Sequence, residues 1–234
     1  MSISHEAFRR AQESELANWA KDAANTTRLL HELVEHSSVA VPLRRVANGR
    51  HFERALDVGC GCFGFGFLAV HMADCIRSID GVDPLPRIDL AIKDEALATY
   101  VDILRERVRY HQCAGEHLPF ESKTYDLVAC INVVDHAQDP DRILGEIGRV
   151  LKPEGLFVFG VSTLSLLGEW KWRFNRWRRP NEWLFVAHPH TYQWHRADAL
   201  VRRIGGNVLW CDKPNWRNRI AGHGRMSFWI LRKT

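Results

Sequence analysis

Leu56-Asp57-Val58-Gly59-Cys60-Gly61-Cys62-Phe63-Gly64 decides the fold of this chain, together with Asp83 at the end of the next apolar run. Residues 54–58 read as a buried strand, the glycines as a tight turn, and Phe65 onward as the start of a helix. Such a turn needs backbone angles that a Cβ resists, and bare backbone lets a ligand approach closely. The helix start behind it presents free N–H groups. Asp83 closes Ile79-Asp80-Gly81-Val82, and an acid at the carboxyl end of a strand accepts both hydroxyls of a ribose. The pattern predicts a site for a nucleoside-containing cofactor.

Gly59-x-Gly61-x-x-Gly64 satisfies the dinucleotide fingerprint literally, which leaves an NAD-dependent oxidoreductase open. Asp57 argues the other way. A fixed carboxylate at the mouth of the turn repels a pyrophosphate and attracts a cation, and S-adenosylmethionine carries both an ammonium and a sulfonium.

Asp57-x-Gly59-x-Gly61 with Asp83 resembles the cofactor loop of class I S-adenosylmethionine-dependent methyltransferases, of the broad type 11 small-molecule group. The resemblance continues in order. Gly115-Glu116-His117-Leu118-Pro119-Phe120 is similar to that family's adenine-side loop. Tyr125 to His136 is similar to its fourth strand and the following turn, and Arg149 to Phe159 to its helix end and fifth strand. The resemblance implies that Asp57 and the backbone of Gly59 and Gly61 face the methionine end, and that Asp83 holds the ribose. It places Leu85 and Leu118 on either side of the adenine, Gly115 and Glu116 along its edge, and Asn132 at the end of strand four. Two departures stand out. Ala114 occupies the position where relatives often carry an acid for the adenine amino group, and Cys62-Phe63 follows the second glycine where most relatives have a small residue and glycine. They keep open a cofactor-binding partner protein without catalysis.

Outward from the glycine turn, strands are expected at 54–58, 78–82, 107–113, 125–131 and 156–162, and helices at 65–74, 88–104 and 139–151. Apolar strands alternating with periodic helices predict an α/β chain with a parallel sheet covered on both faces. A helix near 195–204 and strands at 208–210 and 226–232 complete it. The expected fold is a Rossmann-like, doubly wound, mostly parallel sheet of seven strands with an antiparallel C-terminal hairpin. The expected organisation is a single domain with an N-terminal helical cap (1–50), a cofactor-binding core (51–162), a Trp/Arg-rich acceptor lid (163–195) and a C-terminal helix and strand pair (196–234). The cap reads as two helices over 5–47, with Pro42 interrupting the second. The resemblance implies that such helices fold over the cofactor with Trp19 helping to close the site, but Trp19 is read chiefly as a packing aromatic.

The chain has 234 residues, enough for one substantial core. Its net charge of +4 does not indicate nucleic acid as a partner. No run approaches the ~20 apolar residues of a membrane span, and residues 1–22 lack an apolar signal core, so a cytoplasmic enzyme is expected. Six scattered cysteines without metal-like spacing read as reduced thiols, and no metal is expected.

Methyl transfer needs alignment of acceptor, methyl and sulfur, and a base helps where the acceptor is a hydroxyl. His136, beside the expected methyl position, is the first candidate base; of His188-Pro189-His190, His190 is the second. Asp135, Asp139 and Asp141 follow strand four, but helix capping accounts for the last two. Between Gly168 and His195, Trp170, Phe174 and Trp177 share one helical face among Lys171, Arg173, Arg176, Arg178 and Arg179. This segment reads as a lid over a small-molecule acceptor, as a peripheral membrane contact through 170–179, or as plain core and solvated surface. The expected reaction is methyl transfer to an oxygen of a small metabolite: a sugar or glycan precursor, a phenol or quinone precursor, or a secondary metabolite.

Overall fold

A computed structural model describes residues 2–22, 25–222 and 224–234. Strands β1 (Phe52–Val58), β2 (Ile76–Asp83), β3 (Val108–Gln112), β4 (Tyr125–Ile131) and β5 (Leu151–Leu164) run parallel, joined through helices α4 (Gly66–His71), α5 (Glu95–Glu106) and α6 (Pro140–Val150). The two-residue β6 (Tyr192–Gln193) extends the end of β5, and β8 (Arg225–Arg232) runs antiparallel to both β5 and β7 (Asn207–Cys211). The order β3-β2-β1-β4-β5-β8-β7 reverses direction between β1 and β4, beside the glycine turn. That is the doubly wound sheet with the antiparallel C-terminal pair, with β6 as a short eighth strand.

Alternate residues of the central strands feed two cores, as the period of a strand requires. Ala55, Leu127, Ala129 and Val158 face one layer, which α4, α5 and the N-terminal helices cover. Leu56, Val128, Cys130 and Phe157 face the other, closed by α6 and by α9 (Trp194–Val201). Asp139 starts α6 by accepting from Asp141 N and Arg142 N.

The N-terminal cap has three helices, not two: α1 (His5–Asp22), α2 (Thr26–Val34) and α3 (Ser37–Ala47). Pro42 does not break the pattern but sits inside α3. The carbonyl that loses its N–H partner is that of Ser38, an exposed residue in the first turn, so the cost of the proline is small there. The expected helix 88–104 begins later, at Glu95, where Asp94 accepts from Leu97 N and caps it.

The expected lid divides. Residues 163 and 164 finish β5, Ser165 caps α7 (Leu166–Arg178), and α8 (Trp183–Ala187) follows. In α7 the sole buried residue is Glu169, held by Gln193 and by Arg196 at 3.0 Å. Trp170, Phe174 and Trp177 stack along the outside, so they belong neither to the core nor to a cavity wall.

Candidate active site

The carboxyl ends of β1, β2 and β4 converge on two adjoining clefts of about 180 and 130 Å³, which share Trp19, Arg28, Gly59, Gly61 and Asn132 as lining. Parallel strands end there together, so their last residues and the turns after them form the walls.

Gly59, Gly61, Gly64 and Gly66 all have positive φ, at 72°, 77°, 82° and 66°. A Cβ on Gly59 would lie 2.2 Å from Val133 Cγ2, whereas one on Gly61 meets nothing within 4 Å and would enter the cleft. The first glycine therefore serves packing against the turn after β4, and the second leaves bare backbone toward a ligand.

Asp83 is buried, and its two oxygens accept from Gly61 N at 3.0 Å and Leu85 N at 2.9 Å. Burial raises its pKa to about 6, against those two bonds. Asp57, at the end of β1, lines the smaller cleft and accepts from Leu68 N at 2.8 Å, fixing α4 behind the turn. Burial raises it further, to about 7. Both carboxylates are thus short of positive partners within the protein, and a cationic or hydroxyl-rich ligand would compensate them. The thiol of Cys62, in the same turn, is pushed up to about 12 by burial and then by Asp83.

Of the residues expected from the sequence, Gly59, Gly61, Asp83, Leu85, Gly115, Glu116, Asn132 and His136 line the larger of these two clefts. Leu118 lines neither. It is buried in the second core layer and its N–H donates to Glu146, so it is not placed to stack on a ligand in the cleft. Glu116 is buried and accepts from Gln138 N at 2.9 Å and Asp139 N at 3.1 Å, which ties the adenine-side loop to the turn after β4. Asn132 takes a left-handed φ of 59°, turning the chain at the end of β4.

The other end of the cleft is built by histidines. His136 Nδ1 lies 2.9 Å from Ala187 O, and its ring faces that of His188 at 4.2 Å between centroids. His190, the second candidate base, lines neither cleft. Its Nε2 bonds Ala137 O at 2.9 Å, so it fastens the segment after α8 to the turn after β4, and His188 is the member of the pair that reaches the cavity.

The resemblance put an N-terminal helix and Trp19 over the cofactor, but sequence reasoning missed the other residues that α1 contributes. Phe8, Gln12, Glu15 and Trp19 all line the cleft, and that spacing puts them on one helical face. The face is half polar, so a search for apolar periodicity passes over it. Trp19 does both things expected of it: it packs on the core, with its ring against Phe63 at 4.9 Å, and it roofs both clefts, with Arg28 over it at 5.0 Å.

Residues 56–159 match the model of the methyltransferase domain family. The chain is 28% identical over 181 residues to an uncharacterized methyltransferase of Bacillus subtilis, covering 69% of each chain. It is 34% identical over 124 residues to a ubiquinone biosynthesis O-methyltransferase of Vibrio cholerae, 51% of this chain and 45% of that one. A similar match to the enzyme of that name from Glaesserella parasuis covers 48% of its length, so the chain spans about half of the ubiquinone relatives it matches. In three dimensions it resembles the Burkholderia thailandensis 1,6-didemethyltoxoflavin-N1-methyltransferase solved with its substrate and S-adenosylhomocysteine, with a TM-score of 0.64 and 17% identity over 100% of this chain and 92% of that one. The match to the methyltransferase domain family takes in the strands and turns that build the cleft, and the fold is that of the methyltransferase solved with S-adenosylhomocysteine.

Proposed function

We propose that the chain transfers the methyl group of S-adenosylmethionine to an oxygen of a small metabolite, with a phenol or quinone precursor as the favoured class. The observation that carries this reading is the polarity of the two adjoining clefts: the buried carboxylates of Asp57 and Asp83 at one end, and the His136/His188 pair at the other. In both rings Nδ1 bonds a carbonyl, at Ala187 and Leu184, so Nδ1 carries the hydrogen and Nε2 keeps its lone pair when the ring is neutral. Such a nitrogen takes the hydroxyl proton as the acceptor oxygen attacks. The new C–O bond forms, the C–S bond breaks with its electron pair remaining on sulfur, and S-adenosylhomocysteine leaves. The names of the ubiquinone relatives support a hydroxylated aromatic acceptor. Incubating the protein with methyl-deuterated S-adenosylmethionine and pools of phenols, sugars and amines, then reading product mass, tests the class; label appearing on amines alone overturns it.

A second element of this reading is access from an anionic membrane surface. Among the described residues no helix is long and apolar enough to cross a membrane. Yet Trp170, Trp177 and Trp216 are 69%, 78% and 67% exposed, on α7 and on α10 (Trp216–Ala221), which packs against it. Arg217 lies over Trp216 at 5.3 Å and Arg178 over Phe174 at 5.8 Å, and Arg173 and Arg219 are exposed on the same two helices. Exposed indoles amid guanidinium groups suit the interface of an anionic bilayer, where the rings lie at headgroup depth and the cations meet phosphates.

A further inference from the structure

Asp80 and Asp135 are equally buried, each 2% exposed, and their surroundings differ completely. Asp80 accepts from Tyr125 at 2.9 Å, Arg109 at 3.0 Å and Arg54 at 3.2 Å, with His111 at 3.0 Å. Neither oxygen of Asp135 has a hydrogen-bond partner, and His136 Nε2 lies 3.8 Å from Oδ2. Glu15 Oε1 is likewise without a hydrogen-bond partner, 3.4 Å from His136 Nδ1. Two largely buried carboxylates thus flank one imidazole, Glu15 also having Trp19 and Arg28 nearby, and a bound cation would satisfy their unpartnered oxygens.

We propose that Glu15, His136 and His188 bind one divalent first-row metal ion, with Asp135 beside them. One ligand atom from each of the three lies within 4.8 Å of the others. They come from α1, the turn after β4 and the residue after α8, so no spacing motif marks them in the sequence. Metal-bound histidines characteristically donate their second ring N–H to a carbonyl or carboxylate, which fixes the tautomer and aims the free nitrogen. His136 and His188 both have this support, from Ala187 O and Leu184 O at 2.9 Å. Two imidazoles with carboxylate oxygens favour zinc, iron or nickel over magnesium or calcium, whose ligands are oxygens. Three protein ligands leave a coordination position open, and all three line the cleft. A hydroxyl acceptor entering that position would be held as its oxyanion, the metal replacing the imidazole in easing loss of the proton. This role rests on the methyl-transfer reading; the site itself does not.

The test uses the full-length protein stripped with chelator, titrated with zinc chloride and cobalt chloride by calorimetry and by metal analysis after dialysis. One equivalent of zinc per chain is expected, with visible cobalt absorption of a four- or five-coordinate site. His188→Ala and Glu15→Gln should each weaken binding by more than about tenfold, as loss of even a supporting group does, with unchanged circular dichroism. His190→Ala, outside the cleft, should bind as the parent does. Failure to retain zinc, or binding untouched by both His188→Ala and Glu15→Gln, overturns the proposal. Affinity for S-adenosylhomocysteine, measured on the same metal-free samples, tests the methyltransferase reading separately, so the two can fail independently.

Discussion

Asp83 Oδ2 accepts the N–H of Gly61 at 3.0 Å, so the acid that ends β2 also holds the glycine turn that ends β1. Its other oxygen accepts from Leu85 N, and a carboxylate has capacity for further bonds toward the cleft. One side chain thereby shapes the turn and keeps acceptor capacity toward the cleft, where the proposed cofactor would place its ribose. Asp83→Ala should weaken S-adenosylmethionine binding by about 1.5–3 kcal/mol, the range for hydrogen bonds to charged groups. It should also lower stability by about 1–3 kcal/mol, because two loop N–H groups lose a buried acceptor. Calorimetry and denaturant unfolding read the two effects separately, and unaltered affinity in a folded variant removes Asp83 from the ribose site.

The raised carboxylates make stability and affinity respond oppositely to pH. Asp57 and Asp83 move from 3.8 to about 7 and about 6, both through burial, so the folded chain holds these protons more tightly than the unfolded one. Their contribution to stability is full below the unfolded value of 3.8 and is lost as pH rises through 6 and 7. The ligand selects the ionised forms, so its affinity should increase over the same window. Asp57→Asn should therefore be more stable than the parent at pH 8 without cofactor, with the gap closing toward pH 4, and should bind S-adenosylmethionine more weakly at pH 8. Unfolding curves at several pH values, with and without cofactor, check both signs.

The sheet and the cleft residues at the ends of β1, β2 and β4 were legible because each rests on local chemistry. Strand periodicity, the glycines and the acids at strand ends sit within short stretches whose physics needs no distant partner. What was not legible depends on long-range packing. The polar part of the roof, Gln12 and Glu15, needs α1 to cross the cleft, and its half-polar face carries no apolar signal. The choice of His188 over His190 turns on how α8 docks, which two alternating histidines cannot reveal. Trp170 and Trp177 have the spacing of a buried face, yet α7 is anchored through Glu169 and leaves them outside.

Gly59 and Gly61 should separate packing from ligand access. Alanine at either position is strained by the positive φ, at about 1–2 kcal/mol. At Gly59 the added carbon also meets Val133, so Gly59→Ala should lose stability well beyond that strain. At Gly61 it meets open space, so Gly61→Ala should remain folded and lose mainly cofactor affinity. Thermal melts alongside cofactor titrations distinguish them; equal stability losses would contradict the assigned roles.

The two candidate histidines of the sequence now carry opposite expectations. His136 reaches the cleft, so His136→Ala should bind S-adenosylmethionine normally and lose roughly 10²–10⁴-fold in kcat, the contribution of a positioned base. His190 bonds a carbonyl outside it, so His190→Ala should affect stability more than turnover. Single-turnover rates with an accepted phenol decide between them. A His136→Ala enzyme that retains its chemical step would leave catalysis to alignment alone.

The exposed ridge of α7 and α10 should behave as a membrane contact that is independent of the fold's core. Trp170 and Trp177 are largely solvent-exposed, so replacing both with alanine should hardly change the unfolding free energy, whereas core truncations of this kind cost about 3–5 kcal/mol. The same variant should lose co-sedimentation with vesicles containing phosphatidylglycerol. Lys171→Glu with Arg173→Glu should weaken that binding as well, since each cation near such a surface contributes about 1 kcal/mol. Raising the salt should mimic the charge variants and leave the tryptophan effect in place, because screening acts on the cations and not on rings inserted in the bilayer interface. Absence of pelleting by the parent protein with anionic vesicles at low salt would exclude the contact and assign the ridge to another partner.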